Sequence, residues 1–188
     1  VSGVDRNPAK MIWSSTPFRG LGVFLEQYWP EIKRRIPEAE LHVFYGWNSA
    51  DKMGVTTTPE GAVFKTRVME LVQQPGVVWR GRVGQPELYR EFLSAGVWPY
   101  FCQYREEQCI GAYLAQASGA WPVVLPNGAL SQSVVFGWKA STEKFVDAVV
   151  DAVGTTEGRD QMMEWARQHL TWDGVAALWE RLFLGRAA

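Results

Sequence analysis

The feature that most constrains this chain is a repeated switch between short, almost continuously apolar runs and longer stretches with helical spacing. "MIWSS" (Met11–Ser15), "ELHVFYG" (Glu40–Gly46), "GVVWRG" (Gly76–Gly81), "VWPYFC" (Val97–Cys102) and "WPVVLP" (Trp121–Pro126) read as strands, with "SVVFG" near Val134 as a weak further one. A strand that is apolar throughout, rather than in alternation, is covered on both faces, which is the condition of a parallel sheet. Between the strands, Leu21, Phe24, Leu25, Tyr28, Trp29 and Ile32 recur at helical spacing, and Pro30 should kink or restart that helix. Phe64, Val68, Leu71 and Val72 mark another helix, after a polar loop from Trp47 to Gly61. Others are expected from Pro86 to about Ala95, Gln108 to Ser118, Thr142 to Val153, Arg159 to Leu170 and Trp172 to Leu184. The alternation specifies an α/β fold class: a Rossmann-like doubly wound parallel sheet of about six strands with helices on both faces. Ligands of such sheets bind beyond the carboxyl ends of the strands.

Length and charge exclude several function classes. A chain of 188 residues can bury one sizeable core, so one domain is expected. The formal net charge of −1 argues against a nucleic-acid partner, which would need a basic stripe. The most apolar helical stretch, "VDAVVDAV" (Val146–Val153), is broken by acids and too short to span a bilayer, so no transmembrane segment is expected. No basic segment followed by an apolar one opens the chain, and no signal peptide is read there. Cys102 and Cys109 are the two cysteines; they fit neither a disulfide framework nor a paired metal spacing. His42, in a strand, and His169 are read as structural, and most of the ten tryptophans as core residues. No metal site is expected.

Four loops leave carboxyl ends of strands. "SSTPFRGLG" (Ser14–Gly22) carries hydroxyls, Arg19 and two glycines just before a helix. Amides at a helix start attract anions and an arginine adds a fixed charge, although a glycine turn with a solvated arginine would look the same. "RGRVGQPEL" (Arg80–Leu88) has glycines that let the backbone approach a flat ligand, or it is a plain strand-to-helix turn. In "REEQCIGAYLAQASGAWPVV" (Arg105–Val124), Glu106 and Glu107 stand at a helix start, where the macrodipole favours anions. Charge compensation explains one of them; the other can turn inward and accept ligand hydroxyls. The fourth loop, "PNGALSQSVV" (Pro126–Val135), is polar and glycine-containing.

These loops, in this order, resemble the C-terminal nucleotide-sugar domain of retaining glycosyltransferases of the two-domain "B" fold, the family 4 type. "SSTPFRGLGVFLEQYWPEIKRRIPEAELHVFYG" resembles the family's strand–loop–"RGL"–helix segment, and "VVWRGRVGQPELYREFLSAGVWPYF" its "V-x-x-x-G-x-V…E-L…Y…A-x-V" segment. "YREEQCIGAYLAQASGAWPVV" is similar to its "E-x-x-C-I-x-A-x-E-A-Q-A-x-G-x-x-P-V" segment, and "HLTWDGVAALWERLF" to its closing helix. The resemblance covers nearly the whole chain. It implies that Arg19 clamps the donor diphosphate, with Ser15, Thr16 and the Gly20 backbone close by. Arg82 and Val83 would border the base. Glu106 fits the first acid of the family's E-x7-E motif and would contact donor-sugar hydroxyls. Amides near Cys109, Ile110 and Gly111 would face the distal phosphate. Glu106 and Arg19 are thus the residues expected to act in catalysis.

The implied activity is transfer of a sugar from a UDP-, GDP- or ADP-sugar with retention of anomeric configuration, by a cytoplasmic enzyme or one peripheral at the membrane. The implied ligand is this nucleotide-diphospho-sugar, with no prosthetic group and no metal. "VSGVDRNPAK" resembles the end of the family's inter-domain linker, so residues 1–10 are expected to be linker and 11–188 the donor domain. An N-terminal acceptor-binding domain, on the same or another chain, is the expected partner, and the chain alone is expected to be nearly inactive. Departures from the pattern are specific. The second acid of the motif, which grips the donor ribose, falls on Leu114; counting from Glu107 gives Ala115. Gln132 and Ser133 replace "L-x-E-T-V", and Ser14 stands where a basic residue is often found. A degenerate, non-catalytic nucleotide-sugar or interaction domain and a nucleotide-sugar epimerase of the same fold are the alternatives.

Overall fold

A computed structural model describes residues 4–185. Six strands form one sheet in which every neighbour is parallel: β1 (Asn7–Trp13), β2 (Glu40–Phe44), β3 (Val77–Gly81), β4 (Ala95–Tyr100), β5 (Trp121–Val124) and β6 (Trp138–Lys139). Their order is β3-β2-β1-β4-β5-β6, so the chain winds outward from β1 in one direction and from β4 in the other. The reversal between β1 and β4 leaves a crevice at their carboxyl ends. The α/β Rossmann-like class expected from the apolar runs is the one observed.

The helices are α1 (Leu21–Val23), α2 (Trp29–Arg35), α3 (Asn48–Lys52), α4 (Pro59–Leu71), α5 (Gln85–Ser94), α6 (Ile110–Ser118), α7 (Leu130–Ser133), α8 (Phe145–Gly154), α9 (Arg159–His169) and α10 (Trp172–Leu184). On one face α5 packs on β1, α6 on β5, and α9 on α6; on the other α8 crosses β1, β4 and β5 and meets α2. Between α1 and α2 the chain widens into a π-helical turn, Phe24–Tyr28. The cause is Pro30, which has no N–H to return to the preceding turn and so restarts the helix. α4 is capped by Thr58, whose hydroxyl accepts from the Gly61 amide at 3.1 Å.

Several boundaries differ from the sequence reading. β1 begins at Asn7 instead of Met11, which places residues 7–10, expected as linker, in the central strand; residues 1–3 of that stretch, like the last three of the chain, lie outside the described residues. Pro8 cannot donate to the ladder, and the β1–β4 register shifts between Asn7 and Met11. Gly96 permits the close approach there, since a Cβ would stand 2.1 Å from the Pro8 carbonyl oxygen. The stretch Trp47–Gly61 holds α3 and the start of α4 instead of a plain loop. The sixth strand is Trp138–Lys139, not "SVVFG": Val134 follows α7 and turns its side chain into the core. Trp13, Trp29, Trp47 and Trp98 are buried as expected, but Trp138, Trp172 and Trp179 are exposed.

Candidate functional site

The crevice at the switch point opens into a cavity of about 720 Å³. The loop after β1 forms one side. The Trp13 indole N–H donates to the Ser15 carbonyl at 3.0 Å and ties the loop to its strand. A 3-10 turn, Pro17–Arg19, then ends on Gly20 at φ 106°. A Cβ on Gly20 would lie 2.1 Å from the Phe101 carbonyl oxygen, so only glycine lets this loop rest on the end of β4. Ser14, Ser15, Thr16 and Arg19 face the cavity, whereas Gly20 lines an adjoining apolar groove with Phe18 and Phe64.

The loop after β4 forms the floor. It is knitted to the loop after β5: the Asn127 amide donates to the Cys102 carbonyl at 3.0 Å, and the Ala129 N–H to the Glu106 carbonyl at 2.7 Å. Glu106 is only 6% exposed. Its Oε1 accepts from the Tyr100 hydroxyl at 2.7 Å and the Cys102 thiol at 3.4 Å, and lies 3.4 Å from Arg19 Nη1. α6 starts at Ile110 with Cys109 as its N-cap, so both acids precede the helix. Glu107 is exposed and lies outside the first turn, where the macrodipole acts; charge compensation is a weaker account of it than the sequence suggested. Cys109, Ile110 and Gly111 all border the cavity, and Leu114 lines it one turn further along α6.

The far end is built by the loop after β3, where Arg82 and Val83 line the cavity with Leu88 and Tyr89 of α5. Tyr45, just past β2, joins them with φ 117°, a conformation that L residues rarely adopt and that costs on the order of 1–3 kcal/mol. Nothing in the sequence marked Tyr45, Tyr89, Trp98 or Tyr100 as site residues, because each reads as strand or helix filling. The signal that existed was the glycine after Tyr45, which marks a sharp exit from β2. His42 is buried in β2 against Glu40, 3.1 Å away, and does not line the cavity; His169 is exposed on α9.

Burial pushes the Tyr100 hydroxyl far above its ordinary range, and raises the Cys102 thiol and the Cys109 thiol, the latter to about 11. All three therefore stay protonated near neutral pH, as donors. Partial burial works against the Arg19 charge, but the Glu106 carboxylate, Tyr100 and Cys102 outweigh it and hold its pKa above the usual value. The cavity lining thus combines two guanidinium groups, Arg19 and Arg82, with the Glu106 carboxylate, hydroxyls, and aromatic and aliphatic side chains. Among the described residues no group of three or more His, Cys, Asp or Glu stands placed to hold a metal ion. No helix among them is long and apolar enough to cross a membrane.

No family model matches the chain, and neither does any curated protein. Solved structures do match it. The GtfA/B complex superposes with a TM-score of 0.66 at 15% identity, covering 95% of this chain and 36% of that one. A TarM point mutant from S. aureus, in complex with Fondaparinux, alpha-GlcNAc-glycerol and UDP, gives 0.63 at 10% identity, covering 97% and 36%. AviGT4, a glycosyltransferase involved in Avilamycin A biosynthesis, gives 0.62 at 16% identity, covering 97% and 53%. At these identities the likeness to these neighbours, one of them named as a glycosyltransferase, establishes the fold. The chain is thus an α/β Rossmann-like domain with the fold of these neighbours, and it spans between about a third and a half of their length.

Proposed function

We propose that this chain is the donor-binding half of a retaining glycosyltransferase that uses a nucleotide-diphospho-sugar. The observation that carries the reading is the convergence, around one switch-point cavity, of Arg19 and Glu106 at one end and Arg82 and Val83 at the other. Arg19 and the amides that open α6 neutralise the departing diphosphate, a purely electrostatic contribution that needs no proton transfer. Glu106 accepts hydroxyls of the sugar. Arg82, Val83, Tyr45 and Tyr89 flank the base. UDP in the TarM neighbour is consistent with a nucleotide in this fold and leaves the choice among UDP, GDP and ADP open.

The acceptor side belongs to a partner domain. α10 supports this: Trp172, Leu178, Trp179, Leu182 and Phe183 are exposed along one side of it, with Trp172 87% exposed. An apolar stripe of this kind marks an interaction surface. The chain alone should transfer no sugar, and detectable transfer by it would refute the division of labour.

A calorimetric panel of UDP, GDP and ADP with their glucose conjugates tests the reading. Arg19→Ala should weaken every diphosphate about 10-fold or more, the worth of one charge-assisted contact. Unchanged affinity would sink the role of Arg19. A second reading, a degenerate donor domain kept as an interaction module, is favoured by Leu114, an aliphatic side chain lining the cavity where the resembled motif has an acid. It predicts no nucleotide binding at all.

A further inference from the structure

The carboxylate of Glu106 is held by more than its neighbouring cation. Arg19 approaches Oε1 at 3.4 Å from a side chain that is 41% exposed, and such half-solvated pairs orient little. Tyr100 differs in kind. It is fully buried, stacked on Trp98 at 4.8 Å and tilted against Trp13 at 5.4 Å, so its ring has one available position. From there its hydroxyl reaches Oε1 at 2.7 Å. The Ser15 hydroxyl stands 3.3 Å from the same phenol oxygen, linking the loop after β1 to the loop after β4. Cys102 adds a second hydrogen-bond donor to Oε1. Among the described residues Oε2 has no hydrogen-bond partner, and Glu106 borders the cavity.

We infer that Tyr100 is the positioning residue for Glu106: by engaging Oε1 from a rigid ring, it leaves Oε2 as the cavity-side acceptor for hydroxyls of the donor sugar. The inference rests on the proposed donor-binding function and deepens it. A glutamate side chain has several rotatable bonds and loses binding strength if it must be ordered when ligand arrives. A buried tyrosine supplies that order in advance. Tyr100 borders the cavity too, but its ring is buried and its hydroxyl is engaged by Oε1, so it acts through Glu106. It stays a donor at neutral pH because burial disfavours the phenolate. The sequence hid the role, since Tyr100 sits inside the apolar run "VWPYFC".

The test is a double-mutant cycle on the chain, read by calorimetry with UDP, GDP and ADP and each glucose conjugate. Tyr100→Phe should weaken the conjugate of the binding nucleotide about 5- to 10-fold and change the bare nucleotide less than about twofold. In a Glu106→Gln background the same substitution should change the conjugate less than about twofold, because the two residues act as one unit. Equal losses for nucleotide and conjugate, or additive losses in the cycle, would overturn the inference and assign Tyr100 a packing role. If Tyr100→Phe loses its native circular dichroism, Cys102→Ala removes another donor to the same oxygen. It should weaken the conjugate alone by about two- to threefold, and no selective loss overturns the inference. Absence of any binding by the unaltered chain overturns the donor-binding reading and this inference together. Binding that ignores Tyr100 and Cys102 overturns the inference and leaves the reading standing.

Discussion

Arg159→Met should destabilise the fold severely, because Arg159 is a buried cation with no carboxylate partner among the described residues. Its guanidinium donates to four carbonyls: Thr155 at 2.7 Å, Gly96 at 2.7 Å, Gly119 at 2.7 Å and Ala152 at 3.1 Å. It also lies 5.8 Å from the centre of the Trp121 ring. These contacts join the start of β4, the end of α6 and the end of α8, and so brace the base of the two elements that carry Glu106 and the α6 amides. Methionine fills similar space and donates nothing. The Ala152 carbonyl keeps a bond from the Thr155 amide, and that of Thr155, a half-buried residue beside the exposed Gly154 and Thr156, can turn to water. The Gly96 and Gly119 carbonyls stay buried and lose this donor, at about 1–3 kcal/mol each. Relief of the buried charge offsets part of that sum, leaving a net loss of about 3–4 kcal/mol. For a domain of this size that is a fall in melting temperature of roughly 6–16 °C. Thermal and urea unfolding followed by circular dichroism measure it. A loss below about 1 kcal/mol with an unchanged urea slope would show that water replaces the guanidinium, and the bracing argument would fail.

Other substitutions probe the site directly. Gly20→Ala combines a left-handed backbone with a Cβ driven against the Phe101 carbonyl, and should cost at least about 2–3 kcal/mol in urea unfolding and loosen nucleotide binding in parallel. Leu114→Glu, which places an acid at the cavity wall, should tighten the ribonucleotide about 10-fold over its 2′-deoxy analogue; an equal effect on both would remove the ribose from this position. Stability should fall in alkali. Cys109 is raised to about 11 by burial, so the folded state retains its proton where the unfolded state has lost it, and the contribution is complete below pH 9 and lost between about 9 and 11. Tyr100 acts in the same sense, and Cys109→Ala should flatten the lower part of that decline in a pH series of melting temperatures.

What the sequence determined by itself was the order and type of most elements, hence the parallel sheet and the end of it at which ligands bind. Apolar runs such as "VWPYFC" can be satisfied only when covered on both faces, and the helical stretches between them supply the cover. The loops after β1, β3 and β4 therefore had to meet at one end, and Arg19, Arg82 and Glu106 do line one cavity there. Tertiary structure decided the rest, because it depended on partners remote in the chain. Trp138–Lys139 became the edge strand only by pairing with Val123 and Val124, while the better strand former around Val134 was drawn into the core behind α7. Gly20 proved to be a spacer against Phe101, and Arg159, read merely as the start of a helix, a brace for four carbonyls. Glu106 and Glu107 are adjacent and chemically alike, yet one is buried and the other exposed. Partners remote from the pair's own peptide tell them apart: the buried hydroxyl of Tyr100, placed by the packing of Trp13 and Trp98, with the Cys102 thiol and Arg19.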